Sequence, residues 1–216
     1  DFDTLHQHKA VNVKYTVHPG RVYRINEVLF PTGTGRLEEV IRAGETGSLL
    51  KNGQPYSLDL IIAERVRIDE MLKELGFYYF RPDYLLIQAD STAGDHQVNL
   101  KMIIKKEAPV LAHNQFYVRD IRIDPEQDFR PGVLEDMLIF QRNSLYNRTN
   151  HNLALHRLVS MGNFQFVRNR FVEADTTGHY LDAIYSLTPF PAKSVQAELS
   201  ARSNSADFTG TALSVN

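Results

Sequence analysis

The 216-residue sequence lacks cysteine and tryptophan and carries almost no net charge. The missing cysteines exclude disulfide frameworks, zinc–thiolate sites and thiol nucleophiles. No apolar run approaches the roughly 18–20 residues of a membrane-spanning helix. The formal net charge of −2 is spread evenly, so neither half of the chain is basic enough to hold nucleic acid by charge. What remains is a charge-balanced chain, 43% hydrophobic, with enough residues for one large domain or two small ones.

Residues that could carry catalysis or bind a metal are present but are not arranged for either task. Among the eight histidines, His6 and His8 share a face only in an extended segment, and His151 and His156 diverge on a helix. The glycine-rich stretch 32–35 lacks the Gly-Lys-Ser/Thr ending of a phosphate-binding loop. No nucleophile elbow or paired acid/base carboxylates occur. We therefore predict that the protein is not an enzyme, with no catalytic residues, no metal site and no cofactor.

The sequence contains a repeat. Tyr23–Phe30 matches Phe116–Ile123, with apolar residues at the same positions, as expected of strands that are buried on one face. Leu75-Gly76-Phe77, which follows a helical pattern in the first copy, matches Met161-Gly162-Asn163 in the second. From Tyr56 to Gly76 the first copy is four residues longer than the second is from Tyr146 to Gly162. Four residues are about one helical turn, which leaves the buried face of the helix unchanged. Residues 19–109 and 110–190 are therefore predicted to be two related domains.

Each repeat is predicted to contain a strand, a short helix, a longer helix and two further strands. In the first repeat, Ser57 is a helix N-cap and Gly76 ends the longer helix. Asp69 and Lys73 are expected on its solvent side. Its buried stripe is predicted to comprise Ile61, Arg65, Ile68, Leu72 and Leu75, widened by Leu58, Ile62 and Met71. The other elements of this repeat are predicted at Tyr23–Phe30, Leu37–Ala43, Tyr79–Asp90 and Gln97–Lys105.

In the second repeat, Pro131 suits the first turn of the short helix and Asn147 the N-cap of the longer one. The buried stripe of the longer helix is predicted to comprise Leu153, Leu155, Leu158 and Val159. A hairpin of Phe164–Glu173 and His179–Thr188 follows. The predicted fold class is α+β, with tandem βααββ domains that each form a three-stranded sheet carrying two helices on one face.

This tandem βααββ pattern, with Tyr-Ser or Tyr-Asn at the long helix and a glycine after it, resembles the POTRA (polypeptide-transport-associated) domain. POTRA domains form the periplasmic arm of the BamA/TamA family of outer-membrane assembly proteins. Asn163 departs from the family pattern, which has an aromatic residue after the glycine, and Phe164 is the expected replacement. Residues 1–18 are interpreted as the end of a preceding POTRA-like unit or a linker strand, with its strand at Val11–Val17.

The C-terminal segment has a different pattern. Residues 194–202 alternate strictly between polar and apolar, over about the length of a transmembrane β-strand. Residues 191–216 are predicted to be the first strands of a C-terminal outer-membrane β-barrel, joined through Pro189-Phe190-Pro191. The alternative is an amphipathic hairpin of a soluble sheet. Because the chain opens at Asp1 without an initiator methionine, we expect it to be a fragment of a longer protein.

The predicted function follows from exposed sheet edges, which recruit further strands. The resemblance implies that the strand after the longer helix of each repeat, Tyr79–Asp90 and Phe164–Glu173, is a free edge. Pro82 agrees with this, since proline cannot donate a ladder hydrogen bond. Arg168 and Arg170 share one face and are interpreted as a solvated face, a contact with the barrel mouth or a contact with a partner. The predicted partner-binding residues are Tyr84, Leu86, Gln88, Phe164, Phe166, Arg168 and Arg170.

By resemblance, the partners are unfolded outer-membrane or secreted polypeptides, periplasmic accessory proteins and the protein's own C-terminal barrel. The location implied is the outer membrane of a Gram-negative bacterium, with these domains in the periplasm. One alternative is a two-partner-secretion-type transporter, although the strand at Val11–Val17 suggests more domains than such proteins usually have. Another is a structural interaction module. The aromatic run Phe77–Phe80 is predicted to pack a strand against the helix rather than to bind a ligand.

Overall fold

A computed structural model describes residues 2–5, 10–18, 20–92, 94–125, 134, 138–175, 179–190, 197–204 and 208–215. The contacts within the chain define two compact units. The first unit comprises Asp1–Tyr117, Asn143–Thr149 and Asp175–Tyr180. The second comprises Val118–Arg142, Asn150–Ala174 and Leu181–Asn216. The sequential boundaries predicted for the repeats therefore stay a prediction.

An antiparallel hairpin of β1 (Phe2–Leu5) and β2 (Ala10–Val13) opens the chain. The strand predicted at Val11–Val17 is therefore only partly formed, because it ends at Val13. The residues after it are exposed and carry no strand geometry. His6 and His8 lie outside the described residues.

The first repeat forms a three-stranded sheet in the order β3-β5-β4. Strand β3 (Arg24–Leu29) runs parallel to β5 (Gln97–Ile104), and β4 (Leu85–Asp90) pairs with β5 antiparallel. Val98, Leu100 and Met102 alternate along β5 and are buried, as the period of a half-buried strand requires.

Two helices complete the core of this repeat. Helix α1 (Arg36–Ala43) ends at Gly44, as predicted. Helix α2 (Leu58–Glu74) follows Ser57 and stops two residues before Gly76, whose φ of +90° suits glycine. The core residues from both helices, the sheet and the Phe77–Phe80 run are Ile25, Leu37, Val40, Ile41, Leu50, Ile61, Ile68, Leu72, Phe77, Phe80, Leu85, Val98, Leu100 and Met102.

The solvent side predicted for α2 is wrong. Asp69 and Lys73 are 6% and 7% exposed, whereas Leu58, Ile62 and Leu75 of the predicted stripe are exposed. The buried charges are tolerated because each has polar partners. Asp69 is 3.1 Å from a guanidinium nitrogen of Arg148, and Lys73 donates to two backbone carbonyls. Hydrophobic periodicity treats charged residues as solvent-facing, so it rotates the buried face away from such a cluster.

The second repeat forms a four-stranded sheet in the order β7-β6-β9-β8. Its strands are β6 (Tyr117–Pro125), β7 (Ser144–Leu145), β8 (Phe164–Asp175) and β9 (Tyr180–Pro189). The two-residue strand β7 was not predicted, because two residues are too few to show a period. Three of the predicted strands are confirmed with shifted ends. The short helix predicted at Pro131 lies outside the described residues.

Helix α3 (Arg148–Ser160) begins directly after Asn147, as predicted. Ala154 and Leu158 are its buried residues, while Leu153 and Val159 of the predicted stripe are exposed. The stripe is narrower than predicted and includes an alanine. At the end of the chain, β10 (Ala197–Asn204) and β11 (Phe208–Val215) pair antiparallel over eight residue pairs. Residues 194–196, where the alternation begins, lie outside the described part.

Candidate partner-binding edges of the two sheets

Strand β4 is an edge strand among the strands that the structure describes. The amide of Lys105 donates to the carbonyl of Tyr84 at 2.9 Å, and the register continues with Leu86 opposite Ile103 and Gln88 opposite Lys101. In an antiparallel pair, hydrogen-bonded and non-hydrogen-bonded positions alternate. The backbone groups of Leu86 and Gln88 therefore point toward β5, and those at positions 85, 87 and 89 point to the open side.

The side chains of β4 divide between two faces. Leu85 is buried and Ile87 packs against the core, whereas Leu86 is 37% exposed and Gln88 is also exposed. The predicted residues Leu86 and Gln88 thus project from the exposed face of the edge. The backbone groups available to an added strand belong to their neighbours, a distinction that side-chain patterns alone do not make.

Tyr84 does not lie in the edge strand. It ends a short 3-10 helix, Pro82–Tyr84, so the strand predicted at Tyr79–Asp90 begins only at Leu85. Pro82 starts this helix, and Arg65 holds it through a 2.9 Å bond to the carbonyl of Pro82 and a 2.9 Å bond to Asp83. The sequence signal for this turn is Pro82 itself, whose fixed φ suits the first turn of a helix.

Strand β8 is the corresponding edge of the second sheet among the described strands. Phe166, Arg168 and Arg170 are exposed, as a contact surface requires. Phe164, at the start of the strand, is only 5% exposed and belongs to the core. Its predicted role in partner binding is therefore inconsistent with its burial. Phe164 was expected to supply the aromatic ring that Asn163 lacks, and its burial agrees with that expectation.

Apart from the sheet edges, a buried lysine lies near the end of α2. Lys73 donates to the carbonyls of Tyr78 and Phe80, and burial lowers the pKa of its amine to about 8 although Asp69 counteracts the shift. The ring of Tyr78 meets that of Tyr146 edge to face at 5.0 Å, and burial raises the pKa of Tyr146 to about 12. The sequence pattern gives no sign that Lys73 is buried.

The aromatic run confirms the packing prediction at its two ends. Phe77 and Phe80 are fully buried in the core of the first repeat. Between them, Tyr79 meets Phe116 edge to face, with ring centroids 4.9 Å apart. A cavity of about 510 Å³ lies beside the run, lined by Lys73, Tyr78, Tyr79, Phe80, Arg81, Tyr84, Pro109, Leu111, Tyr146 and Arg148.

Neither a metal site nor a membrane-spanning helix occurs among the residues that the structure describes. No three His, Asp or Glu side chains in this part of the chain are grouped in a way that could hold a metal ion. None of the helices described there combines the length and apolar character needed to cross a bilayer.

The fold and its edges define a class of protein module, the POTRA domain. The chain resembles the crystal structure of BamA POTRA3-5 from Haemophilus influenzae, with a TM-score of 0.55 and 17% identity over 87% of this chain and 70% of that one. It also resembles BamA from Haemophilus ducreyi lacking POTRA domains 1-3, with a TM-score of 0.62 and 20% identity over 80% of this chain. These similarities confirm the predicted tandem POTRA fold.

The likeness is limited in length and is not accompanied by a match in sequence. This chain spans only 30% of the length of the H. ducreyi structure. No family model matches the sequence, and no curated protein matches it. The likeness therefore establishes the fold.

Proposed function

We propose that this chain is part of the periplasmic arm of an outer-membrane β-barrel assembly or translocation protein of the BamA type. Its domains bind unfolded outer-membrane or secreted polypeptides, or periplasmic accessory proteins, by adding a strand to a sheet edge. Support comes from the likeness to BamA POTRA domains and from the hairpin of β10 and β11, whose eight-residue strands suit the start of a barrel.

The observation that carries the binding mode is the open side of β4. Positions 87 and 89 each direct an N–H and a C=O away from β5, as the register requires, and position 85 directs its C=O there, since its N–H donates to the carbonyl of Pro82. An extended segment that pairs with this edge satisfies these groups whatever its side chains are. Main-chain pairing thus accounts for the recognition of many different client sequences.

The energetics of such pairing favour brief contacts. Up to five main-chain hydrogen bonds, about 1 kcal/mol each, must offset several kcal/mol of association cost. The expected Kd of a single edge is then about millimolar or weaker. A weak contact suits a protein that passes clients onward.

Chemical-shift mapping of the chain with synthetic strand peptides tests the proposal. We expect the largest perturbations at the amides of Ile87 and Ala89 and along β8. A peptide with N-methyl groups on its pairing edge is the control, because it has the same side chains but cannot complete the ladder. Perturbations confined to α1, α2 and α3 would contradict the edge model.

The barrel has a separate test in the complete reading frame. If β10 and β11 begin a barrel, the sequence beyond Asn216 contains further alternating segments of about ten residues with aromatic residues at their ends. A following sequence without such segments would contradict the barrel and leave the edge model in place.

A further inference from the structure

The exposed face of β8 has a regular composition. Phe166, Arg168, Arg170 and Val172 alternate along the strand and therefore share one face. All four are exposed, with Phe166 at 54% and Val172 at 41%. The opposite face points inward, as shown by Phe171, whose ring lies 5.9 Å from that of Phe140 and 5.0 Å from that of His151.

The two arginines of this face have no carboxylate partner in the part of the chain that the structure describes. Arg119, Arg122 and Arg142 of the same unit do have one. Arg119 binds both carboxylate oxygens of Asp182, at 3.1 and 2.8 Å, and its charge is thereby compensated. The guanidinium groups of Arg168 and Arg170 can therefore pair with the carboxylates of a bound partner.

Strand β4 presents a different face. Leu86, Gln88 and Asp90 are exposed there and include no cation. The carboxylate of Asp90 accepts hydrogen bonds from the amide and hydroxyl of Thr92, and these bonds lower its pKa. The two edge strands thus differ in charge, β8 being basic and β4 neutral to acidic. Lys101, opposite Gln88, belongs to the inner strand β5.

Neighbouring strands bring facing side chains to about 5 Å, where opposite charges attract and like charges repel. From this difference we infer that β8 selects extended segments of a particular pattern. Every second residue of such a segment faces β8, and these residues are apolar, acidic, acidic and apolar in turn. The acidic residues face Arg168 and Arg170, and the apolar residues face Phe166 and Val172. Strand β4 has no such preference. The inference rests on the proposed function, because it requires that strands add to the edge.

The expected selectivity is modest. Two facing ion pairs of the strength typical of cross-strand pairs change the Kd by roughly 2- to 30-fold in total. Because the pairs are exposed, the preference decreases as salt is raised.

The experiment uses the full chain and three peptides, each one strand long. The peptides differ only at the two positions that face Arg168 and Arg170, where they carry Glu, Gln or Lys. The positions that face Phe166 and Val172 are apolar in all three. Amide shifts of β4 and β8 are followed separately in each titration. We expect the Glu peptide to bind β8 more tightly than the Gln peptide and the Lys peptide least tightly. At β4 the Glu peptide should have no advantage.

The matched variant is Arg168→Glu/Arg170→Glu, which should reverse the order of the Glu and Lys peptides at β8. Its control is Lys106→Glu/Arg157→Glu, which changes the net charge equally at exposed residues outside the edge and should leave the order unchanged. Equal binding of all three peptides at β8 would overturn the charge selectivity while leaving strand addition intact. If no peptide perturbs either edge, the proposed function fails as well.

Discussion

Lys73 joins the end of α2 to the segment that follows it. Its amine donates to the carbonyls of Tyr78 and Phe80, and the side chain is almost completely buried. The two carbonyls lie in the turn between Gly76 and β4, where no strand ladder satisfies them. The lysine therefore takes the place of backbone pairing and orders the approach to the edge strand.

The lowered pKa of Lys73 makes stability depend on pH. The unfolded lysine takes up a proton below about 10.5 and the folded one only below about 8. Between these values the unfolded state binds more protons, so the free energy of unfolding should rise with pH. Above about pH 10 the raised pKa of Tyr146 acts in the opposite direction, because the unfolded tyrosine ionises first.

Urea unfolding at intervals between pH 7.5 and about 10 measures this dependence. The Lys73→Met variant should lose the rise, whereas Lys106→Met, at an exposed lysine, should keep it. The slope is the informative quantity, since the methionine also leaves two carbonyls without a donor. A rise of equal size in Lys73→Met would show that another group is responsible.

Gly76 is the second residue on which the first unit depends. Its φ is +90°, and a Cβ placed there would lie 2.6 Å from a methyl carbon of Leu145. Gly76→Ala should therefore lower the free energy of unfolding both by backbone strain, about 1–2 kcal/mol, and by overpacking, roughly 1–3 kcal/mol.

The matched control is Gly94→Ala. Gly94 has a φ of +82°, but no atom of the described residues lies within 4 Å of a Cβ placed there, so only the backbone cost applies. Equal losses in the two variants would show that Leu145 yields without cost. In Gly76→Ala, the further change Leu145→Ala should recover part of the overpacking cost.

At the scale of the element, β4 allows the backbone and side-chain contributions to be separated. Ala89→Pro removes an N–H that points to the open side, whereas Gln88→Pro removes one that points toward β5. We expect the first variant to lose peptide binding at β4 and to stay folded. The second should lower the free energy of unfolding, by about 1–3 kcal/mol, because the ladder hydrogen bond is lost and its acceptor on β5 is left without a donor.

Thermal unfolding together with the peptide titration distinguishes the two variants. If Ala89→Pro binds strand peptides as well as the unsubstituted chain, the open side of β4 is not the pairing surface. If Gln88→Pro is as stable as Ala89→Pro, the assigned direction of the backbone groups is wrong.

The start of α3 depends on a side chain from α2. Glu74 accepts hydrogen bonds from the amide of Thr149 at 3.0 Å and from its hydroxyl at 2.9 Å, within the first unit. Glu74→Ala should lower the free energy of unfolding by about 1 kcal/mol, as expected for loss of a helix cap. Glu74→Gln should lose less because it keeps an acceptor. The control Glu70→Ala, at an exposed position of α2, should change little.

The elements themselves were largely predictable from the sequence. Alternation in β5 and the caps of α1 and α2 are local signals, and each predicts its element without tertiary information. The predicted ends of elements differ from the observed ones where the sequence holds no local signal for them. Strand β4, for example, was predicted to start at Tyr79, six residues before its observed start at Leu85. The burial of Asp69 and Lys73 depends on Arg148 and on two carbonyls supplied by other segments, and periodicity carries no trace of such partners.

For the candidate site, the sequence pattern indicated which residues share a face with the edge strands but not which of them are exposed there. Leu86, Gln88, Phe166, Arg168 and Arg170 lie exposed on edge strands, as the pattern and the resemblance indicated together. Tyr84 and Phe164 were assigned to the same surface because both lie in phase with it. A turn removes the first from the strand, and core packing buries the second.

At the scale of the whole molecule, the two edges belong to different sheets. We therefore expect two binding sites for extended peptides rather than one. Ala89→Pro should abolish the shifts at β4 and change the Kd at β8 by no more than about twofold, as for independent sites. Arg168→Glu/Arg170→Glu should alter only β8. A loss at both edges from either variant would indicate coupling between them.

The strand order also determines when each sheet can form. β5 is the last strand of the first repeat and lies between β3 and β4, and β9 comes after β6 and β8 and lies between them. In a chain emerging from its N-terminus, β3 and β4 of the first repeat have no neighbour in their sheet until β5 arrives, and β8 of the second has none until β9 arrives, whereas β6 can pair with β7 earlier. Completion of each sheet is therefore a late step, and until it occurs the protein presents the same extended, unpaired strands as the polypeptides that we propose it binds.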